Sequence, residues 1–232
     1  MIKQNLTKIN KKIRDTESKY KRALNSVTLI AISKAQDITK IQEAINFGQK
    51  HFGENYLQEA LIKIHAINNP AIIWHYIGKI QSKKTKLIAQ SFAWADTVCS
   101  YEIAELLNKY RPDDLPKLNV CIQVNISNQA TKNGVLPQDI LPLAQKINNL
   151  PKLHLRGIMA IPEPLEKFAE QLKVFTELNL AFKGLQNHDI ALDTLNIGMS
   201  EDFIAAIAAG ANFIRIGTAI FGERDKTVIL PV

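Results

Sequence analysis

Thr28-Leu29-Ile30-Ala31-Ile32-Ser33-Lys34 is an apolar, β-branched run that stops on a lysine. Six or seven residues of this composition, bounded by polar neighbours, read as a strand buried on both faces, as in a parallel sheet. A lysine closing such a strand is ordinarily a solvated terminus. If the fold is a parallel barrel, however, the carboxyl ends of the strands are where its chemistry gathers. An amine held there against an apolar wall suits Schiff-base chemistry.

Working outward, seven further short apolar runs follow, and most precede a helical period. Strands are expected over 28–33, 51–54, 72–77, 94–99, 118–124, 153–159, 194–197 and 213–216. Helices are expected over 38–47, 56–67, 82–91, 102–110, 138–148, 166–182 and 202–209. This alternation implies parallel βαβ units, and eight of them imply a closed (β/α)8 barrel. A doubly wound open sheet would suit the same alternation, but no G-x-G-x-x-G follows the first strand. Ahead of the barrel, Ile2, Leu6, Ile9, Ile13, Tyr20 and Leu24 recur at a helical spacing among lysines, so an amphipathic helix within residues 1–26 is expected to pack on it. No Pro, Gly or Ser-rich linker divides the chain, which is expected to form one domain over residues 1–232.

With 46% hydrophobic and 22% charged residues, the chain has the composition of a soluble globular protein. No apolar run reaches the length of a membrane span, and the lysine-rich N-terminus lacks the apolar centre of a secretory signal. A cytoplasmic location is expected. Cys99 and Cys121 are too far apart for a metal knuckle, and the five histidines show no ligand spacing, so no metal is expected. A net charge of +7 favours an anionic partner, either a phosphorylated small molecule or nucleic acid. The Lys83-Lys84-Thr85-Lys86 run reads more simply as a solvated helix face.

Two further stretches carry chemistry. In Asn196-Ile197-Gly198-Met199-Ser200-Glu201-Asp202, Ser200 is placed to cap the next helix, and the first-turn N–H groups are placed to receive a phosphate. Glu201 and Asp202 oppose the second role unless they turn outward. In Ile214-Arg215-Ile216-Gly217-Thr218, the period of two puts Arg215 and Gly217 on one face, with Arg215 pointing into the barrel. An arginine there demands acceptors. In a closed barrel, strand eight adjoins strand one, so Lys34, Arg215 and the loops after strands seven and eight share one site. An amine, a phosphate cradle and a group facing a ring nitrogen are the requirements of pyridoxal 5'-phosphate (PLP). Arginine in that last role discourages protonation of the ring nitrogen and makes the ring a poorer electron sink.

With these residues in place, a resemblance is plain. Ala31-Ile32-Ser33-Lys34, Phe52-Gly53-Glu54-Asn55-Tyr56, Trp74-His75-Tyr76-Ile77-Gly78 with Gln81-Ser82, Val124-Asn125-Ile126, Arg156-Gly157-Ile158-Met159-Ala160-Ile161-Pro162, Gly198-Met199-Ser200 and Arg215-Ile216-Gly217-Thr218-Ala219-Ile220-Phe221-Gly222 resemble the signature segments of the pyridoxal phosphate homeostasis family. The likeness runs from residue 28 to the end. It implies a single TIM barrel of the alanine racemase N-terminal-domain type that holds PLP as a Schiff base on Lys34. It further implies that Asn55, Met199, Ser200, Arg215, Gly217 and Thr218 bind the cofactor, with Arg215 facing the pyridine nitrogen and Ser200, Gly217 and Thr218 holding the phosphate. The sequence departs from the family at Lys79, usually proline, and at Ala35-Gln36-Asp37, usually a basic, proline-containing turn.

The expected function is PLP binding in the service of its cellular supply, without catalysis, with PLP-dependent apoenzymes as candidate partners and a monomeric state. A low-activity, racemase-like enzyme is the alternative, and a basic nucleic-acid-binding protein the third reading. A two-base racemase needs an acid or base on each face of its substrate. Only residues 223–232 follow Gly222 here, so no second domain is expected to supply one. Tyr56, Tyr76 or Tyr101 would have to substitute. Asn55 also reads as a helix cap, His75 as a satisfied core histidine, and Lys132 as part of the turn Thr131-Lys132-Asn133-Gly134.

Overall fold

A computed structural model describes residues 1–127, 132–188 and 190–223. Thr131 of the turn before Gly134, and the chain from residue 224 onward, lie outside the described residues. Eight parallel strands, β1 (Thr28–Ile32), β2 (His51–Glu54), β3 (Ile73–Tyr76), β4 (Trp94–Val98), β5 (Leu118–Val124), β6 (Leu153–Ala160), β7 (Thr194–Asn196) and β8 (Phe213–Ile216), close into a barrel in sequence order. The ring shuts where β1 pairs with β8, Ile30 opposite Arg215 and Ala31 opposite Ile216. This is the (β/α)8 architecture that the alternation of apolar runs implies.

Helices α1 (Ile2–Lys19), α2 (Ile38–Asn46), α3 (Leu57–Ile67), α4 (Thr85–Ser91), α5 (Tyr101–Tyr110), α6 (Ile140–Asn148), α7 (Phe168–Gln186), α8 (Phe203–Ala209) and α9 (Thr218–Phe221) surround it. Alternation along each strand sorts side chains into two cores. Leu29, Ala31, Phe52, Trp74, Tyr76 and Ala95 face outward and join the helices in one continuous apolar shell. Trp94, Cys121 and Met159, with Ile73 and Phe213 against them, form a separate inner cluster at the amino end of the barrel.

The N-terminal helix is shorter than its apolar spacing implies. It ends at Lys19, and Lys21 and Asn25 take positive φ of 53° and 62°. Buried Glu17 explains the stop, because its carboxylate accepts the N–H groups of Asn25 and Val27 and pairs with Arg14. The chain must fold back on Glu17 to make those bonds, which leaves Leu24 70% exposed instead of on a helix face. In contrast, α7 runs a turn beyond its expected end at 182. Gly184 looks like a terminator, but burial of Leu185 carries the helix past it. The short α9 after β8 was not anticipated by the apolar pattern, which has no room for a period in four residues.

Candidate functional site

Lys34 stands two residues past β1, half-buried, in the turn at the carboxyl rim of the barrel. Its parity matches Ile30 and Ile32, the inward-facing residues whose side chains would meet a Cβ added at Gly53. Ser33, of opposite parity, faces the helices and is held there by two side chains. Its hydroxyl donates to Glu54 Oε1 at 2.6 Å, and Lys63 Nζ donates to its carbonyl at 2.6 Å. Lys63 also pairs with Glu54 Oε1 at 2.8 Å and with Glu59, whose Oε1 accepts the Ala35 N–H at 2.6 Å. Ala35 itself takes a positive φ of 54°. A bracket of one lysine and two carboxylates thus pins the turn from behind and leaves Lys34 on the barrel side. Burial pushes the Glu54 carboxyl up, against the pull of Lys63. Sequence reasoning missed this bracket; its only signal was the Glu59/Lys63 pair at i, i+4 on a helix side that is otherwise apolar.

Asn55 follows β2 on the same rim. It is not the cap its position suggests, since Tyr56 is the N-cap of α3 and no side chain bonds there. Its Oδ1 is buried without a hydrogen-bond partner. The next strand end is pressed close, and a Cβ at Gly78 would lie 2.1 Å from the Asn55 carbonyl oxygen.

Arg215 points into the barrel as its parity requires and is only 3% exposed. Its acceptors are the Asn196 carbonyl at 2.8 Å, Asn196 Oδ1 and the Ala160 carbonyl at 2.8 Å. Burial brings the guanidinium down to about 10, opposed by Asp96 and Asp202. Two residues on, Gly217 packs on β1, where a Cβ would stand 3.3 Å from Ile32 Cβ. Thr218 is exposed and begins α9, whose first N–H groups have no intrahelical acceptor.

After β7, Gly198 has φ +96°, and a Cβ there would come within 2.5 Å of Ala206 Cβ, so glycine is required by helix packing and backbone shape. Met199 and Ser200 are half-buried in the following turn. Ser200 does not cap α8: the N-cap is Asp202, and Asp202 Oδ1 takes the Met199 N–H. The physical reason is that the chain already turns at 199–203, with Phe203 N–H bonded to the Met199 carbonyl, so the helix begins two residues later than the Ser200 position. Glu201 is exposed, as a phosphate reading needs, whereas Asp202 is folded back on the loop within the field of Arg215. The structure therefore brings Lys34, Asn55, Met199, Ser200, Arg215, Gly217 and Thr218 onto the carboxyl ends of four consecutive strands, β7, β8, β1 and β2.

Below Arg215 the barrel is polar. Asn196 Nδ2 donates to Asp96 Oδ1 at 3.2 Å, Asp96 Oδ2 bonds His75 Nδ1 at 2.9 Å, and His75 Nε2 lies 3.0 Å from His51 Nδ1. His75 is the satisfied core histidine its strand position suggests, stacked on Trp94 with ring centroids 5.0 Å apart. Asp96 and the role of Asn196 escaped the sequence reading, because an aspartate inside an apolar strand is indistinguishable there from a solvent-facing one.

Of the tyrosines, Tyr76 faces the helices, edge-on to Phe92 at 5.3 Å, and its hydroxyl donates to the Lys79 carbonyl at 3.3 Å. Tyr101 lies under Lys146 on the outer shell, and Tyr56 is 60% exposed beside Asn55. Lys132 pairs with Glu163 at 3.5 Å. Lys83 and Lys86 are solvated. Among the described residues, no group of His, Cys, Asp and Glu is placed to hold a metal, and no helix is long and apolar enough to cross a membrane.

Fold and rim together define a (β/α)8 barrel of the alanine racemase type with a lysine at the end of its first strand. The family described as alanine racemase, N-terminal domain, matches residues 5–225. A pyridoxal phosphate homeostasis protein of Vibrio cholerae is 46% identical over 228 residues, 97% of each chain. Its Escherichia coli K12 counterpart is 43% identical over 227 residues, again 97% of each. The solved structure of PipY from Synechococcus elongatus PCC7942, with PLP bound, superposes with a TM-score of 0.84 at 31% identity, covering 96% of this chain and 100% of that one. The chain belongs to the pyridoxal phosphate homeostasis family, within the wider alanine racemase N-terminal-domain group.

Proposed function

We propose that this chain binds PLP through the Lys34 amine at the carboxyl rim of its barrel and serves the intracellular supply of the cofactor, without turnover of its own. The observation that carries this reading is Arg215, a buried guanidinium held by three acceptors beside the strand that ends in Lys34. Relatives at 43% and 46% identity bear the name of PLP homeostasis proteins, and PipY holds PLP in its solved structure. The residues fit the group. The unpartnered Asn55 Oδ1 is a buried acceptor awaiting a donor, and the tight approach of Gly217 to Ile32 leaves backbone where a side chain would close the rim.

Bound PLP supplies an aldehyde that reacts with amines and a ring able to accept electron density from a neighbouring bond. The protein's part is to limit that ability. Lys34 would hold the aldehyde end, with Asn55 and Met199 bounding the site. Ser200, Gly217 and Thr218 would hold the phosphate through their N–H and hydroxyl groups. Arg215, a permanent donor, would stand on the ring-nitrogen side and would discourage that nitrogen from taking a proton. A role without turnover is supported by the place of Tyr76, which faces the helices and packs edge-on to Phe92, away from use as one of the groups of a two-base reaction. In this reading the chain acts as one domain over residues 1–232, as a cytoplasmic monomer that passes PLP to dependent apoenzymes.

The test is the visible spectrum of the purified protein with PLP, followed by borohydride reduction and peptide mass mapping. A pyridoxyl phosphate adduct on Lys34 is expected, together with no exchange of the Cα proton of added amino acids. A protein that stays colourless and unmodified would sink the cofactor reading. Sustained exchange abolished by Lys34→Ala would replace the non-catalytic reading with the racemase-like one.

A further inference from the structure

The interior of a (β/α)8 barrel is normally filled by branched apolar side chains. Here a line of hydrogen bonds crosses it, from Arg215 at the rim through Asn196, Asp96 and His75 to His51 at the first residue of β2. Asp96, Asn196 and His75 are fully buried. Buried polar groups cost stability unless satisfied, and even satisfied they seldom improve on apolar packing. Stability alone therefore does not account for this line.

The direction of each bond reveals what the line does. Arg215 can only donate, so Asn196 must present Oδ1 to it. The Asn196 amide is then fixed with Nδ2 towards Asp96, which can only accept while ionised. His75 completes the set by donating Nδ1–H to the other carboxylate oxygen. Neither Asn196 nor His75 can flip without losing two bonds. Asp96 is faced by His75 from β3, by Cys121 from β5, by Asn196 from β7 and by Arg215 from β8, with His51 behind His75. It is the carboxyl group on which these side chains converge.

We propose that Asp96 is a positioning residue for Arg215: acting through Asn196, it fixes the guanidinium at the ring-nitrogen side of the cofactor site and supplies the buried negative charge that balances it. The inference rests on the PLP reading above and deepens it. It makes the electronic state of the bound cofactor depend on a carboxylate that does not touch it. The argument is electrostatic as well as geometric, because an unbalanced guanidinium inside the barrel would disfavour every protonated form of the group beside it.

Asp96→Asn tests this, since it keeps the shape and the Asn196 bond while removing the charge. The readout is the pH midpoint of the visible band of the PLP-loaded protein. Removing a buried negative charge disfavours the acid form, so the midpoint should fall by about one pH unit relative to the wild type. Asn196→Ala cuts the connection and leaves the carboxylate in place; its midpoint should fall by about half as much. That variant decides the matter if thermal melting shows that Asp96→Asn does not fold. Lowered melting temperatures with an unchanged midpoint would make the line merely structural and overturn the inference while the PLP reading stands. A wild type that forms no band with PLP would overturn both.

Discussion

Asn55 and Arg215 show two opposite ways in which a single side chain reveals a site. The Asn55 Oδ1 is buried with no donor, and a buried unpaired acceptor costs about 1–3 kcal/mol. Asn55→Ala should therefore leave the melting temperature of the PLP-free protein unchanged or slightly raised, while weakening PLP binding about tenfold. Equilibrium titration and a thermal melt on the same sample separate the two effects. Arg215 is the reverse case, because its Nη1 and Nη2 groups already donate to three acceptors within the protein. Arg215→Met strands acceptors at Asn196 and Ala160 and should cost about 3–5 kcal/mol in denaturant unfolding. Both residues were legible in the sequence as candidate site members, Arg215 by the parity of its strand and Asn55 through the family resemblance. The Asn55 cap explanation failed because capping depends on the φ, ψ of one residue, and the chain enters α3 at Tyr56. The Ser200 cap failed for the same reason.

Between β1 and α3, what matters is how one element holds another. Lys63 on α3 ties together Ser33, Glu54 and Glu59, and through Glu59 the backbone of Ala35. Lys63→Met would leave two buried carboxylates with no cation, a loss of about 3–5 kcal/mol near neutral pH. The pH dependence has a definite sign. Burial already raises the Glu54 carboxyl above its ordinary value, and Lys63 is the main force lowering it, so the variant's Glu54 titrates higher still. A raised carboxyl favours the fold below its unfolded value and loses that contribution as pH rises through the folded one. The deficit of Lys63→Met should accordingly shrink as pH is lowered from about 8 to about 5, measured by urea unfolding. A deficit constant over that range would mean that Glu54 is not the titrating group. At this scale the strand and helix alternation was readable along the whole barrel, since apolar period is a local property. The bracket was not, because Glu54 and Lys63 look like ordinary surface charges until β2 and α3 are packed together. The early stop of α1 has the same origin in buried Glu17.

Taken whole, the barrel carries polar chemistry along its axis, with Lys34 and Arg215 at one end and the His51–His75 pair at the other. The amino end of that line sets how the molecule responds to acid. Burial, reinforced by neighbouring His75, lowers His51 to about 4, against an ordinary value of 6.5. A histidine held below its unfolded value is neutral in the fold and charges more readily in the unfolded chain. Its contribution is therefore intact above the unfolded value and is lost as pH falls from there through about 4. After allowance for the partial exposure of the ring, this amounts to about 2–3 kcal/mol. Urea unfolding of the wild type between about pH 7 and pH 4 should show that loss superposed on the general effect of carboxylate protonation. His51→Gln keeps a polar partner for His75 and removes the titration, so its unfolding free energy should change less over the same window, by that 2–3 kcal/mol. Identical slopes for the two proteins would place the acid sensitivity in the carboxylates alone. A shallower slope for His51→Gln would place that share of the acid sensitivity at the His51–His75 end of the barrel.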